Sequence, residues 1–279
     1  MEERKRSGRG VEEWKRSRRE EGEMKLKVEG VEFSYASVEV LKGICVELGE
    51  SEMLGVVGPN GAGKSTLIRC IDRILTPQRG CVTLNGQDIK KMQQMELARR
   101  IGYIPQNSSQ VFPATVFDTV LMGRRPHLGW RSSEKDTEKV LEVLELMKIE
   151  EFAMRDIHEL SGGQQQKVFI ARALTQEPDI LLLDEPTSNL DIRHQLEVLD
   201  VIKEVVRRRG ISAVMAIHDL NLASRYADRI VMLNGGRVFA AGEPSAVLTQ
   251  ENIKQAYGVV AEVKREKGRP YIVPLRPVS

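Results

Sequence analysis

The sequence predicts an α/β fold organised around a mostly parallel sheet. Three observations lead there. Short apolar runs at Met53–Val57, Ile180–Leu183 and Ile211–Ile217 have the make-up of strands buried on both faces. Segments with apolar residues at helical spacing lie between them, such as Leu67, Ile68 and Ile71. A glycine-rich turn, Gly58 to Gly63, joins the first run to the first of these helices.

Residues 1–23 are dominated by Arg, Lys and Glu of mixed sign. Such a segment buries too little apolar surface to offset its ordering entropy, so a disordered or frayed helical extension is expected. Met24 opens the first patterned sequence and stands as an alternative start of translation, which the mass of the native protein would test. Lys25–Phe33 and Val40–Leu48 alternate as strands do. Cys81–Leu84 runs into Asn85-Gly86, a hairpin signal, and Ile101–Ile104 is a further short strand. Ser133 with Asp136 three residues on forms a capping box. Val140, Leu141, Leu144 and Met147 then repeat at helical spacing. Asn234-Gly235 marks a late hairpin. No internal repeat is visible.

Composition narrows the function classes. The 279 residues are 41% hydrophobic and 29% charged, ordinary values for a soluble globular protein. A net charge of +2 and 5% aromatic residues give neither the field nor the stacking surface of a nucleic-acid binder. The longest apolar stretches fall far below the roughly 20 residues that cross a bilayer. The charged N-terminus lacks the apolar core of a secretory signal. Cys45, Cys70 and Cys81 have no metal-ligand spacing and are expected to be reduced packing residues.

The turn Gly58-Pro59-Asn60-Gly61-Ala62-Gly63-Lys64-Ser65-Thr66 has the spacing of a phosphate-binding P-loop. Glycines let the backbone wrap a phosphate with its N–H groups inward. The following helix start adds free amides and a partial positive charge. Lys64 would reach the β- and γ-phosphates of a nucleotide, and the Ser65 hydroxyl would ligate Mg²⁺.

Ile180–Leu183 end in Asp184-Glu185-Pro186. Carboxylates at the end of a buried strand are costly unless the site uses them, and ligands of open α/β sheets bind beyond the carboxyl ends of strands. Asp184 is therefore expected to help hold Mg²⁺, and Glu185 to orient and polarise an attacking water. Pro186 stops the strand. His218 follows the apolar run Ile211–Ile217 and is placed for a γ-phosphate contact. Gln106, after Tyr103-Ile104-Pro105, could offer an amide to metal or water.

Leu160-Ser161-Gly162-Gly163-Gln164 opens another helix. A capping box explains Ser161 and Gln164 but not the glycines, which weaken a helix. Two together suit a close approach of phosphate to bare backbone. With these residues the chain resembles the ABC ATPase family, over nearly all of residues 25–260 and in the family's motif order. The resemblance implies that Tyr35 stacks on adenine and that Gly58, Pro59, Asn60, Gly61, Ala62, Gly63, Lys64, Ser65 and Thr66 bind its phosphates. It implies that Gln106 is the Q-loop residue, and that Ser161, Gly162, Gly163 and Gln164 are the signature. Asp184 and Glu185 match the Walker B pair, Ser188-Asn189-Leu190-Asp191 the D-loop, and His218 the switch histidine. ATP and Mg²⁺ are the implied cofactors. Lys64, Gln106, Glu185 and His218 carry the implied catalysis; Ser65, Gln106 and Asp184 carry the implied metal. Lys167 stands where Arg is commoner in the family, a departure without consequence for catalysis.

The family's architecture implies a P-loop NTPase core with a mostly parallel sheet, an N-terminal antiparallel β subdomain and a helical subdomain inserted between Q-loop and signature. The expected boundaries are a disordered extension at 1–23, an ATPase domain at 24–260 with its helical subdomain at about 107–161, and a short C-terminal tail at 261–279. Two copies are expected to sandwich two ATP molecules, each P-loop facing the other copy's signature. Transmembrane permease subunits are the implied partners, a substrate-binding protein acts indirectly through them, and no nucleic acid is expected. The implied place is the cytoplasmic face of the cell membrane.

Val116–His127 and His218-Asp219-Leu220-Asn221-Leu222-Ala223 are similar to ATPases of the iron–siderophore, haem and cobalamin uptake group, as is the tail with Tyr257-Gly258 and Pro270–Pro274. Iron-complex uptake is the expectation, with cobalamin, molybdate or another metal as alternatives. A soluble ABC ATPase acting on DNA or ribosomes is less favoured. Such proteins carry a long coiled coil or two nucleotide units, and sustained heptads are missing between P-loop and signature. Intact Lys64, Asp184, Glu185 and His218 argue against an inactive binding module.

Overall fold

The computed structural model of this protein describes residues 24–106, 113–127, 132–188 and 190–278. The expected N-terminal extension, the start of the expected helical subdomain at 107–112, and Asn189 lie outside the described residues. Two compact units result, one from residues 24–91 with 212–278, the other from 92–211.

The first unit opens with β1 (Leu26–Tyr35) and β2 (Val38–Leu48), an antiparallel pair with Leu26 opposite Leu48. Leu26, Val28, Val31 and Phe33 are buried on β1, and Leu41, Ile44, Val46 and Leu48 on β2, the pattern of a sheet with one packed face. β3 (Met53–Val57) is buried at every position. α1 (Lys64–Ile71) follows and buries Leu67, Ile68 and Ile71. β4 (Arg79–Leu84) and the short β5 (Gln87–Asp88) complete a sheet in the order β2-β1-β4-β5. Asn85 and Gly86 form its tight turn with φ of 47° and 75°.

In the second unit α2 (Gln94–Arg100) leads to β6 (Ile101–Ile104). Helices α3 (Val116–Leu121), α4 (Glu134–Met147) and α5 (Gly162–Thr175) follow. β7 (Ile180–Asp184) then pairs parallel with β6, Ile101 opposite Ile180, and α6 (Ile192–Arg209) ends the unit. The Ser133–Asp136 capping box opens α4. Leu141, expected in its apolar stripe, is exposed; Val143 joins Val140, Leu144 and Met147 inside. The buried four centre on the Val140–Met147 line, and position 141 lies about 100° round the helix from Val140, at the edge of that face.

Buried Arg124 ties these helices together. It donates to Asp136 Oδ1 (2.9 Å), the Thr175 carbonyl (2.9 Å) and Glu177 Oε2 (2.7 Å). The hydrogen bonds from the Ser133 side chain and backbone, with Arg124 beyond them, hold the Asp136 carboxyl down to about 2.

The chain then returns to the first unit with β8 (Ser212–Ala216), α7 (Leu220–Tyr226), β9 (Arg229–Asn234) and β10 (Arg237–Gly242). The short α8 (Pro244–Val247), then α9 (Gln250–Tyr257), β11 (Val259–Glu266) and β12 (Arg269–Pro277) complete it. β3 pairs parallel with both β8 and β9, Met53 opposite Ala213 and Leu54 opposite Arg229. The late hairpin turns on Gly235-Gly236, one residue beyond the expected Asn234-Gly235, because Asn234 still pairs with Arg237.

The residues expected to form a short tail instead pair as a hairpin, β11 with β12, closed at Lys267-Gly268. Prolines at 270, 274 and 277 read against a strand in the sequence. In a two-stranded sheet β12 keeps one unpaired edge, where proline is tolerated. Among the described residues no helix is long and apolar enough to cross a membrane.

Candidate functional site

Within the first unit, parallel pairing brings the C-terminal ends of β3 and β8 side by side, Val56 opposite Ala216. The Ile217 N–H donates to the Val56 carbonyl at 3.1 Å. The glycine loop leaves β3 and His218 leaves β8 at this same edge. Gly58 has φ of 149°, and a Cβ there would lie 2.3 Å from the Leu233 carbonyl oxygen, so only glycine fits. Lys64 is buried, and its Nζ donates to the Gly58 (2.8 Å) and Pro59 (3.1 Å) carbonyls. Its ammonium is thereby folded over the loop. Asn60 and Gly61 are exposed at the loop tip, Ala62, Gly63 and Thr66 are buried beneath it, and Ser65 is half-buried in the first turn of α1. His218 is exposed. Burial pushes the Cys70 thiol in α1 up to about 11, which leaves it neutral and unreactive. Tyr35, at the end of β1, is exposed and stands edge-on to Phe33 with ring centroids 4.9 Å apart.

In the second unit β7 delivers the two carboxylates. Asp184 is fully buried at the strand end, and Glu185 is nearly so. Glu185 has φ of 54°, a left-handed conformation that costs a residue with a side chain about 1 kcal/mol or more and that concentrates at functional sites. It aims the carboxylate at Gln106, whose Nε2 donates to Glu185 Oε2 at 2.5 Å. Ser188 secures the turn through its N–H and hydroxyl, both donated to the Glu185 carbonyl. The structure thus brings Gln106 and Glu185 together.

The second glycine motif forms the start of α5. Ser161 and Gln164 make the reciprocal capping box, with the Ser161 N–H donating to Gln164 Oε1 at 2.9 Å. The two glycines differ. A Cβ at Gly163 would meet His194 Cδ2 at 2.6 Å, so packing within the chain already requires this glycine. A Cβ at Gly162 would meet nothing within 4 Å. Only Gly162 is bare towards open space. His194 is held in turn by Asp191, whose Oδ1 accepts from its backbone N–H (2.9 Å) and lies 2.8 Å from Nδ1. Asp191 thereby caps α6. His194 has no motif to mark it in the sequence beyond its place three residues after a capping Asp.

The hydroxyl of Ser65, the carboxylate of Asp184 and the amide oxygen of Gln106 are hard oxygen donors of the type Mg²⁺ takes. Among the described residues no three His, Cys, Asp or Glu side chains gather as a metal cage. Mg²⁺ held by one or two protein groups and by nucleotide phosphates needs none. The donor set fits.

In the segment Val116–His127, Arg124 is buried and His127 Nε2 lies 2.9 Å from the Gln176 carbonyl oxygen. Both are used inside the second unit.

Residues 41–188 match the family described as ABC transporter. An uncharacterised ABC transporter ATP-binding protein of Methanocaldococcus jannaschii is 47% identical over 90% of this chain and 98% of its own. The ferric enterobactin transport ATP-binding protein of Escherichia coli is 38% identical over 90% of this chain and 94% of its own. A cobalamin import ATP-binding protein of Halobacterium salinarum is 41% identical over 84% of this chain, which spans 59% of that relative. Among solved structures, an inward-facing ABC transporter assigned to the metal-chelate type superposes with a TM-score of 0.79 at 30% identity, covering 91% of this chain and 98% of its own. A glycine loop, paired carboxylates and a serine-capped helix that opens on two glycines, in a chain so matched along its length, place it in one family: this protein belongs to the ABC transporter ATP-binding subunits, which are ATPases.

Proposed function

We propose that this chain energises an ABC importer for iron(III)–siderophore, haem or a related iron complex. The observation that carries the reading is its likeness, over nearly the whole of both chains, to an ATPase of ferric siderophore transport. Cobalamin is the second reading, supported by a relative of similar identity that extends well beyond the matched region.

In this reading the loop Gly58–Thr66 wraps the phosphates of ATP, and the Lys64 ammonium exchanges two carbonyls for phosphate oxygens. Tyr35 stacks on the adenine. Ser65, Asp184 and Gln106 hold Mg²⁺, which neutralises phosphate charge when bound. Glu185 takes the proton of the attacking water, Gln106 orients Glu185, and His218 contacts the γ-phosphate. Positioning and electrostatics supply most of the acceleration. Ser161 and the bare Gly162 of a second copy close over the nucleotide, with Gln164 fixing Ser161 and Asp191 ordering the helix behind. The dimer works on permease subunits at the cytoplasmic face of the membrane, and a substrate-binding protein acts through them.

The test is reconstitution of the chain with its co-purifying permease in vesicles, followed by addition of binding proteins loaded with a ferric siderophore, haem or cobalamin. Stimulation of ATP turnover by a loaded iron-complex binding protein is expected. Stimulation by the cobalamin protein alone would replace the iron reading with the second.

A further inference from the structure

Helix α7 begins directly after His218 and Asp219. Asp219 Oδ1 accepts from the N–H groups of Asn221 (2.7 Å) and Leu222 (3.0 Å), which fixes its first turn. The helix has 7 residues, so its own hydrogen bonds hold it weakly.

The C-terminal hairpin supplies what the helix lacks. Asn221 Nδ2 donates to the Ile272 carbonyl (3.1 Å), and the Ile272 N–H donates back to Asn221 Oδ1 (2.7 Å). The side-chain amide thus pairs with β12 as a neighbouring strand would. The Ser224 hydroxyl donates to the Pro270 carbonyl at 2.7 Å in a buried contact. The Arg269 guanidinium donates to the carbonyls of Ser224 and Ala227 at the helix C-terminus, where a cation is favoured. Beside these bonds lies a cavity of about 390 Å³ lined by Asn221, Arg225, Lys267 and Tyr271. Ala223 and Tyr226 anchor α7 by burial, and the polar bonds to β12 fix the side of the helix that faces the hairpin. On its other side His218 is tied to β3 through the bond from Ile217 to Val56.

We propose that the β11–β12 hairpin sets His218 through α7, and that Asn221, Ser224 and Arg269 are positioning residues for ATP hydrolysis. The inference rests on the γ-phosphate role given to His218 above. In that reading the nucleotide is gripped by Gly58–Thr66, to which none of Asn221, Ser224 and Arg269 bonds. Loosening the clamp therefore slows the chemical step and leaves ATP affinity in place.

The experiment measures ATP hydrolysis in single turnover by the full chain, in four forms: wild type, Asn221→Ala, His218→Ala and the double variant. Melting temperature and ATP affinity are recorded for each. Losing the two bonds to Ile272 is expected to lower the rate roughly tenfold with ATP affinity within about twofold of wild type. In the His218→Ala background the same change should have no further effect. Asn221→Asp keeps the acceptor for the Ile272 N–H and should fall between, which keeps the test open if Asn221→Ala folds poorly. Equal slowing in both backgrounds, or an unchanged rate in both Asn221 variants, overturns the clamp. A normal rate in His218→Ala overturns the role of His218 itself, a separate failure.

Discussion

Glu185 combines a left-handed backbone, burial and a short bond from Gln106. A residue held in that conformation is a poor choice for stability alone. Glu185→Gln keeps the shape and a bond to Gln106 but removes the base. It is expected to bind ATP normally and to lose roughly 10²–10⁴-fold in turnover. Phosphate release with parallel nucleotide-binding measurements checks this. The residue type was legible in the sequence, because two carboxylates ended a buried run. The strain and the partner were not, since Gln106 meets Glu185 only through the pairing of β6 with β7. The same holds for Asn221, whose partner Ile272 is remote in the chain.

At the level of elements, the glycines of α5 separate two jobs that the sequence merges. Gly163→Ala places a methyl against the His194 ring. Overpacking of this kind costs about 1–3 kcal/mol, so a clear drop in melting temperature is expected. Gly162→Ala meets open space and should melt at or above the wild-type temperature, because alanine favours helix. It should nonetheless hydrolyse ATP more slowly if a nucleotide must approach that backbone. Thermal melts and turnover of the two variants together decide between packing and contact.

Helix α4 gives a pH prediction. The Asp136 carboxyl titrates at about 2, below its ordinary range, because Ser133 and Arg124 bond its charged form. A depressed carboxylate contributes stability that is complete above its unfolded pKa of about 3.9 and is lost as pH falls through the folded value. The wild-type melting temperature should therefore fall between about pH 4 and pH 2, and Asp136→Asn should flatten that fall. The helix start was readable from Ser133 and Asp136, as was the parallel core from its apolar runs. The C-terminal hairpin was not, because prolines and a charged run masked its alternation, and only pairing with β11 explains it.

Across the whole molecule, the proposed composite site makes activity a property of two copies. Specific ATPase activity should fall on dilution, and Glu185→Gln should restore the dimer in ATP at concentrations where wild type is monomeric. Sedimentation and turnover measured across the same dilution series check both. Full turnover by isolated monomers would remove the shared site.

β3, which carries the phosphate loop, is flanked by β8 and β9, so Met53 meets Ala213 and Leu54 meets Arg229. On the ribosome those partners emerge long after β3, when the entire second unit has been made. A bare, wholly apolar strand must wait through most of synthesis, the circumstance in which nascent chains aggregate and chaperones are needed. The grip on nucleotide is thus among the last things the growing polypeptide acquires, and a message broken before β8 yields a product with the glycine loop intact in sequence and neither flanking strand to hold β3.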